Sequence, residues 1–182
     1  MLTPIQCNEE VVMDDCHIRL IEALILCHKP ISVLEIGIGS GLVTWAILNA
    51  TRRNGSTASV TCVDNFLDWG GKMPEGVAEL PVTMSVQSER EFVASCPLGY
   101  DFIVSDADHD HSHEWIKETL GLLNDNGIAV FHDVSSKAYP NLRGIVEEVD
   151  RQKYPRMIFN RSSMAAERCE RGLLVVFKNK TA

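Results

Sequence analysis

Two stretches of the sequence combine carboxylates with imidazoles. Asp106 and His109 lie in an acidic, histidine-rich stretch that ends at His113, and His132 and Asp133 are adjacent further along the chain. If each stretch follows a parallel strand, neighbouring strand ends about 4.8 Å apart bring these groups around one ion. Carboxylates suit a hard cation such as Mg²⁺, while an imidazole shifts the preference towards Mn²⁺ or another first-row metal. The two stretches therefore have the composition of a divalent-metal site.

A cluster of glycines at Gly37, Gly39 and Gly41 follows the first predicted strand. Bare backbone lets a ligand approach closely, and the next helix offers free N–H groups and a positive dipole end. The spacing G-x-G-x-G, followed by Leu42, differs from the G-x-G-x-x-G of dinucleotide folds and disfavours a pyrophosphate. Asp64, at the end of the second predicted strand, can accept hydrogen bonds from two ribose hydroxyls. A nucleoside ligand is favoured over a tight turn without a ligand.

Hydrophobic periodicity predicts the elements that position these residues. Helices are expected at 9–27, from the glycine cluster to 52, and at 89–95, 112–123 and 141–152, with strands at 31–36, 57–63, 81–86, 100–105, 128–131, 156–160 and 173–178. Strands that are apolar on both faces and separated by helices are typical of a covered parallel sheet. The last two strands are expected to form an antiparallel hairpin at one edge. The fold class is thus a doubly wound α/β sheet.

Composition narrows the possible roles of the chain. Its 182 residues predict one domain, with residues 1–30 as an N-terminal helix and 31–182 as the core. The net charge of −8 disfavours nucleic acid as a partner. Six cysteines without a CxxC pair are expected to be free thiols, with Cys27 and Cys62 in the core. No signal peptide or membrane segment is recognised, so a cytoplasmic protein is expected.

The segment 33–41, Val-Leu-Glu-Ile-Gly-Ile-Gly-Ser-Gly, resembles the first motif of class I S-adenosylmethionine-dependent methyltransferases. Val63-Asp64 resembles their ribose-binding strand end. The resemblance covers nearly the whole chain and implies their Rossmann-like fold, with a seven-stranded, mostly parallel sheet that includes the closing hairpin. It also implies that Glu35 anchors the methionine end of the cofactor through the loop. The implied cofactor-binding residues are Glu35, Gly37, Gly39, Gly41, Asp64, Asn65, Gln87, Ser88 and Asp106.

The acidic stretches resemble those of metal-dependent O-methyltransferases related to the catechol and caffeoyl-coenzyme A enzymes. The resemblance implies that Asp106, His132 and Asp133 bind a divalent cation such as Mg²⁺ or Mn²⁺, although His132 stands where an acidic residue is usual. It further implies that His109 is the catalytic base, and an ordinary pKa near 6.5 suits that role. The expected chemistry is methyl transfer to a hydroxyl of a small molecule, whose oxyanion the cation stabilises.

Other interpretations of these residues are open at this stage. Asp110 or Ser112 could cap the helix that follows, with His111 and His113 as solvated residues of its first turn. Trp69 in the loop 65–79 could cover the substrate or simply pack. Three arginines of the predicted hairpin loop could meet an anionic substrate or be solvated: Arg161, Arg168 and Arg171.

Two other functions are also open. Some relatives of this pattern are hydroxylases of cephalosporin-type pathways, and a non-catalytic cofactor-binding protein would follow if His132 spoils the metal site. Because only one helix precedes the core, a substrate lid must come from loops or from a second subunit, so a homo-oligomer is possible.

Overall fold

The computed structural model describes residues 13–67, 70–160 and 171–179. The helices are α1 (Asp15–His28), α2 (Leu42–Arg53), α3 (Glu89–Ser95), α4 (Ile116–Gly121) and α5 (Arg143–Arg151). The strands are β1 (Ser32–Ile36), β2 (Ser59–Asp64), β3 (Thr83–Val86), β4 (Tyr100–Ser105), β5 (Leu123–His132), β6 (Arg156–Phe159) and β7 (Leu173–Phe177). Short 3₁₀ turns at Ser112–Glu114 and Pro140–Leu142 precede α4 and α5.

The seven strands form one sheet in the order β3-β2-β1-β4-β5-β7-β6. Strands β1 to β5 are parallel, and β7 runs antiparallel to both β5 and β6. The predicted doubly wound α/β sheet with an antiparallel C-terminal pair is confirmed. The chain order reverses between β1 and β4, and in open α/β sheets ligands bind beyond the carboxyl ends of strands at this point. The glycine cluster and Asp106 both lie there.

The two faces of the sheet carry separate apolar clusters because successive strand residues point to opposite sides. Leu34 and Ile36 of β1 pack in the cluster that contains Ile116 of α4 and Ile145 of α5. Val33 packs on the other face, in the cluster formed with α1 and α2. Both faces are thus covered by helices. Within the part of the chain that the structure describes, no helix is long and apolar enough to span a membrane.

The boundaries of two predicted elements were wrong. The predicted helix 112–123 is a 3₁₀ turn followed by the short helix α4, and β5 begins at Leu123 rather than at 128. The segment Asn124–Gly127 has the composition of a turn, but it continues the strand through an irregularity at which the pairing register shifts. Asn126 adopts a φ of 62° there. Turn-forming residues also suit a bulge, so composition did not distinguish the two.

The predicted burial of Cys27 was also wrong. Cys27 is exposed and Cys62 is buried, and both are free thiols. The buried residues of α1 are His17, Ile21 and Ile25, which recur every four residues. Cys27 lies off this stripe, because two residues on an α-helix are separated by about 200°.

Candidate active site

The glycine turn, residues 37–41, is in backbone contact with the start of the acidic stretch. Gly37 has a φ of 85°, and a Cβ at this position would lie well inside 3.0 Å of the Asp106 carbonyl oxygen. The amide of Asp106 donates a hydrogen bond to the carbonyl of Ile36 at 2.9 Å. Glycine is required here by both the left-handed backbone and the close approach. The predicted cofactor turn and the first predicted metal ligand are therefore adjacent in space.

The carboxylate of Asp64 lies against the glycine turn. Its Oδ2 accepts hydrogen bonds from the amides of Ile38 at 2.8 Å and Gly39 at 3.0 Å. Its Oδ1 accepts one from the amide of Phe66 at 2.6 Å. Asp64 thus faces the turn, as expected from its position at the end of β2, and it fixes the path of the turn by three backbone contacts.

Glu35 lies beneath the glycine turn, on β1, and is fully buried. The thiol of Cys62 on β2 donates a hydrogen bond to Oε2 at 3.4 Å, and Oε1 is buried without a hydrogen-bond partner among the described residues. Burial raises the pKa of Glu35 to about 8. The side chain is therefore protonated at neutral pH.

The remaining predicted cofactor residues make local contacts. Asn65 accepts a hydrogen bond from the amide of Leu67 at 3.0 Å, and Gln87 donates to the hydroxyl of Ser85 at 2.7 Å. Ser88 is the N-cap of α3, where it forms a capping box with Glu91. Gly41 is the N-cap of α2, with a φ of 79°. The cofactor roles of these four residues stay predictions.

Asp106, His109 and Asp133 converge at the carboxyl ends of β4 and β5, and we call these three residues the acid cluster. Nε2 of His109 lies 3.3 Å from Oδ1 of Asp106 and 3.2 Å from Oδ2 of Asp133. One ligand atom from each residue lies within 4.8 Å of the other two. Asp133 has a left-handed backbone with a φ of 59°, and its buried Oδ1 accepts no hydrogen bond from the described residues. Such geometry suits a cation site.

The charges of the acid cluster depend on one another. Burial alone would lower the pKa of His109, but its hydrogen bonds to Asp106 and Asp133 raise that pKa to about 10. Against the cost of burial, His132 and His109 hold the pKa of Asp106 below its usual range. In the metal-free protein His109 is therefore an imidazolium at neutral pH. The base role predicted for His109 requires that this proton first be lost.

His132 connects the acid cluster to α1. Its Nδ1 lies 3.2 Å from Oδ1 of Asp106 and 3.5 Å from Oδ1 of Asp133, and its Nε2 lies 3.1 Å from Nδ1 of His17. Nδ1 of His17 in turn lies 3.7 Å from Oδ2 of Asp14. Sequence analysis missed Asp14 and His17. The only signal for His17 was its place on the buried stripe of α1, four residues before Ile21.

Several alternatives for the acidic stretch can now be judged. The hydroxyl of Ser112 donates a hydrogen bond to the buried carboxylate of Glu89 at 2.5 Å, so it does not cap the following helix. No side chain caps the 3₁₀ turn or α4. His111 is exposed, with Nδ1 3.1 Å from Oδ1 of Asp108. His109 stacks on Tyr139, with ring centroids 4.2 Å apart.

The predicted arginine-rich loop is described only at its end. Nε of Arg171 lies 4.0 Å from Oδ1 of Asp133, so this arginine does lie at the ligand side of the sheet. Arg161, Arg168 and the predicted substrate cover Trp69 lie outside the described residues.

Fold and site together define a class I methyltransferase architecture, with a glycine turn after β1 and an acidic residue after β2. A family model described as a methyltransferase domain matches residues 34–134, which is more than half of the chain. The protein therefore belongs to this methyltransferase family, and its predicted enzyme class is confirmed. No curated protein matches the chain by sequence.

Solved structures with the same fold include several methyltransferases. The chain is similar to the O-methyltransferase TomG of Streptomyces achromogenes, which is involved in tomaymycin synthesis and was solved with S-adenosylmethionine. The two share 13% sequence identity and a TM-score of 0.72, over 94% of this chain and 83% of TomG. The Bacillus cereus O-methyltransferase, solved with S-adenosylhomocysteine, has 14% identity and a TM-score of 0.67 over 93% and 84%. A Staphylococcus aureus protein provisionally assigned as a caffeoyl-CoA O-methyltransferase has 17% identity and a TM-score of 0.71 over 94% and 87%.

Proposed function

We propose that the protein transfers a methyl group from S-adenosylmethionine to a hydroxyl oxygen of a small molecule, at a site that also holds a divalent cation. The observation that carries this proposal is the backbone contact between Gly37 and Asp106. It brings the turn typical of cofactor binding against the acid cluster. A methyl donor on the turn and an acceptor at the cluster would then be neighbours.

The residues of the turn fit a nucleoside cofactor. The three amide contacts of Asp64 hold its carboxylate against the turn and occupy three of its four acceptor sites, which leaves one site on Oδ1 for a ribose hydroxyl. The protonated carboxyl of Glu35 below the turn carries no charge that would repel the carboxylate of a methionine moiety. Similar folds solved with S-adenosylmethionine or S-adenosylhomocysteine support the same cofactor.

The acid cluster fits a divalent cation. Its donors are two carboxylates and one imidazole, a set that suits Mg²⁺ or, better, Mn²⁺. Oδ1 of Asp133 is buried without a hydrogen bond, although a carboxylate oxygen in such a place ordinarily has a partner. We propose Asp106, His109 and Asp133 as the ligands, and we place His132 behind them. A ligating His109 gives up its own proton and is then not the base, so the acceptor hydroxyl releases its proton to solvent.

A divalent cation in this place supplies stabilisation of the acceptor oxyanion. The protein itself holds the carboxylates and the His109 ring in place. Asp106 and Asp133 follow adjacent parallel strands, which fix the distance between their carboxylates. The left-handed backbone of Asp133 turns its side chain towards His109, and Tyr139 holds the His109 ring by stacking. Such preorganisation reduces the entropy cost of aligning the acceptor with the methyl group.

The proposal is tested by methyl transfer from S-adenosylmethionine labelled in its methyl group. Catechols and simple phenols serve as acceptors, with Mn²⁺ or Mg²⁺ added or with EDTA present. We expect a labelled methyl ether that forms with the cation and is lost with the chelator. Calorimetry with S-adenosylhomocysteine checks the cofactor site separately.

Each outcome has a definite meaning. No binding of either form of the cofactor at millimolar concentration would refute the methyltransferase proposal. Binding without transfer to any acceptor would favour a non-catalytic cofactor-binding protein. Transfer that is unaffected by EDTA would refute the cation and leave the methyl transfer in place.

A further inference from the structure

A second group of ligand atoms lies directly behind the acid cluster. Asp14, His17 and His132, which we call the second cluster, each offer one atom within 4.8 Å of the other two. All three residues are buried, with 4%, 2% and 3% of their surface exposed. Charged or ionisable groups so far from solvent are ordinarily paired or bound to a metal. None of the sequence motifs for methyl transfer includes Asp14 or His17.

The carboxylate of Asp14 does not cap the helix that it precedes. Asp14 is the N-cap of α1, a position where an aspartate usually accepts a hydrogen bond from the second or third amide of the helix. Its side chain makes no such bond. Its Oδ2 is buried, accepts no hydrogen bond from the described residues and lies on the side of His17. Asp14 therefore does not use its side chain to cap α1. Its carboxylate instead lies near the imidazoles of His17 and His132.

The distance between the imidazoles suits coordination of one ion. Nδ1 of His17 and Nε2 of His132 are 3.1 Å apart. Two nitrogens about 2.0–2.1 Å from a tetrahedral Zn²⁺ lie about 3.3 Å apart, close to this separation. The rings are inclined by 76° with centroids 5.2 Å apart, so they are T-shaped and do not stack. In the metal-free protein, one of these two nitrogens donates a hydrogen bond to the other.

The other nitrogen of His132 has the partner that metal-bound histidines usually have. A ligating imidazole generally donates its second N–H to a carboxylate, which fixes the tautomer and the ring orientation. Nδ1 of His132 lies 3.2 Å from Oδ1 of Asp106. With the proton on Nδ1, Nε2 of His132 would present its lone pair to His17 and Asp14.

We propose that Asp14, His17 and His132 bind a second metal ion, of the Zn²⁺ class, distinct from the cation of the acid cluster. Two imidazoles and one carboxylate suit a borderline ion, while two carboxylates and one imidazole suit a harder one. Asp106 belongs to the first site as a ligand and to the second as the hydrogen-bond partner of His132. The second ion ties the first turn of α1 to the end of β5. The inference does not depend on the proposed methyl transfer.

The test is Co²⁺ binding to the full-length chain after removal of metals with a chelator. Tetrahedral Co²⁺ absorbs visible light, and Zn²⁺ added afterwards displaces it from the same site. We expect a visible band from wild-type protein that Zn²⁺ removes. His17→Gln should lose the band, with affinity lowered more than about 100-fold, because a direct ligand contributes at least as much as a hydrogen-bonded neighbour of one.

Two variants provide matched controls. His28→Gln changes another histidine of α1, which bonds the carbonyl of Asp101 and lies outside the second cluster, so it should keep the band. His109→Gln removes a ligand of the acid cluster and should also keep the band while losing Mn²⁺ binding. Circular dichroism of each variant confirms that the fold persists.

If His17→Gln does not fold, Asp14→Asn replaces it, since asparagine is an equally good N-cap residue. We expect Asp14→Asn to weaken Zn²⁺ binding by more than about 10-fold. The inference is overturned if wild-type protein shows no Zn²⁺-displaceable band. It is also overturned if the folded cluster variants bind Zn²⁺ as tightly as His28→Gln does. Loss of methyl transfer with an intact band would count only against the proposed function.

Discussion

The carboxylates of Asp64 and Asp133 both lie at the carboxyl edge of the sheet, but their partners differ. Asp64 accepts three hydrogen bonds from backbone amides. Among the described residues, the ion-pair partners of the Asp133 carboxylate are side chains: the imidazoles of His109 and His132 and the guanidinium of Arg171. Backbone donors keep their charge and place at any pH, whereas imidazoles gain or lose protons and exchange them for metal ions.

The two halves of the site should therefore respond differently to substitutions and to added ions. The glycine turn is completed by the fold itself, so its geometry should persist without any added ion. The acid cluster balances carboxylates with protons, so its affinity for a cation should depend on charge at each position. Five substitutions separate the halves, beginning with the residue that joins them.

Gly37→Ala should have the largest effect. Its Cβ would overlap the carbonyl of Asp106, and its φ of 85° is strained for alanine. Overlap and strain together should lower the free energy of unfolding by about 4 kcal/mol. Gly55→Ala is the control, because Gly55 has a φ of 64° but open space around it, and it should cost only about 1 kcal/mol. Equal losses in urea denaturation would show that the turn and Asp106 are not in contact.

Asp133→Asn should lower the affinity of the protein for Mn²⁺ by more than about 100-fold, since a neutral amide replaces a charged ligand. We expect the same of Asp106→Asn. The matched control is Asp108→Asn, which changes a more exposed carboxylate that contacts His111 and should alter the affinity less than about threefold. Calorimetry measures all three, and retained Mn²⁺ binding in both cluster variants would remove these ligands from the proposal.

Asp64→Asn should weaken binding of S-adenosylhomocysteine by about 10-fold or more. An amide oxygen can replace only one carboxylate oxygen, so the amides of Ile38 and Gly39 or that of Phe66 face an NH₂ group. Glu79→Gln, an exposed change on the loop after β2, should leave the affinity unchanged. The contrary result, equal affinities in calorimetry, would mean that Asp64 does not hold the ribose.

Glu35→Gln should change how stability depends on pH. The folded pKa is about 8 and the ordinary value is 4.5, so between these values the folded chain binds a proton that the unfolded chain lacks. The stabilisation is complete below pH 4.5 and is lost as pH rises through 8, by about 1.4 kcal/mol between pH 6 and 7. Glu35→Gln should lack this contribution. The prediction would be contradicted if the free energy of unfolding changed with pH in the same way for wild-type protein and Glu35→Gln.

Local patterns predicted much of the fold and of the cofactor half of the site. Predicted strand 100–105 and helix 89–95 match β4 and α3, because each has one clear period and a capping or turn signal at its ends. The glycine turn could be recognised from the sequence, because a backbone with positive φ favours glycine. The boundary between α4 and β5 could not be predicted, because the composition of Asn124–Gly127 fits a turn as well as a bulge.

The residues of the acid cluster and His132 were predicted from the sequence, but the contacts that their side chains make were not. Asp106, His109, His132 and Asp133 were all singled out, yet nothing local shows that His132 turns its Nε2 towards His17, 115 residues away. Such a contact depends on how α1 packs against the end of β5. A histidine on an apolar stripe of a helix also fits a simple core position, so the sequence alone could not separate the two.

We propose that the glycine turn and the acid cluster form one site for methyl transfer. A crystal structure with S-adenosylhomocysteine and Mn²⁺ tests it most directly, because the anomalous signal of manganese locates the ion independently. We predict the ribose on Asp64 and a manganese peak bounded by Asp106, His109 and Asp133, with the cofactor sulfur on the cluster side of the turn. A nucleoside bound elsewhere, or manganese found only on surface carboxylates, would contradict the account.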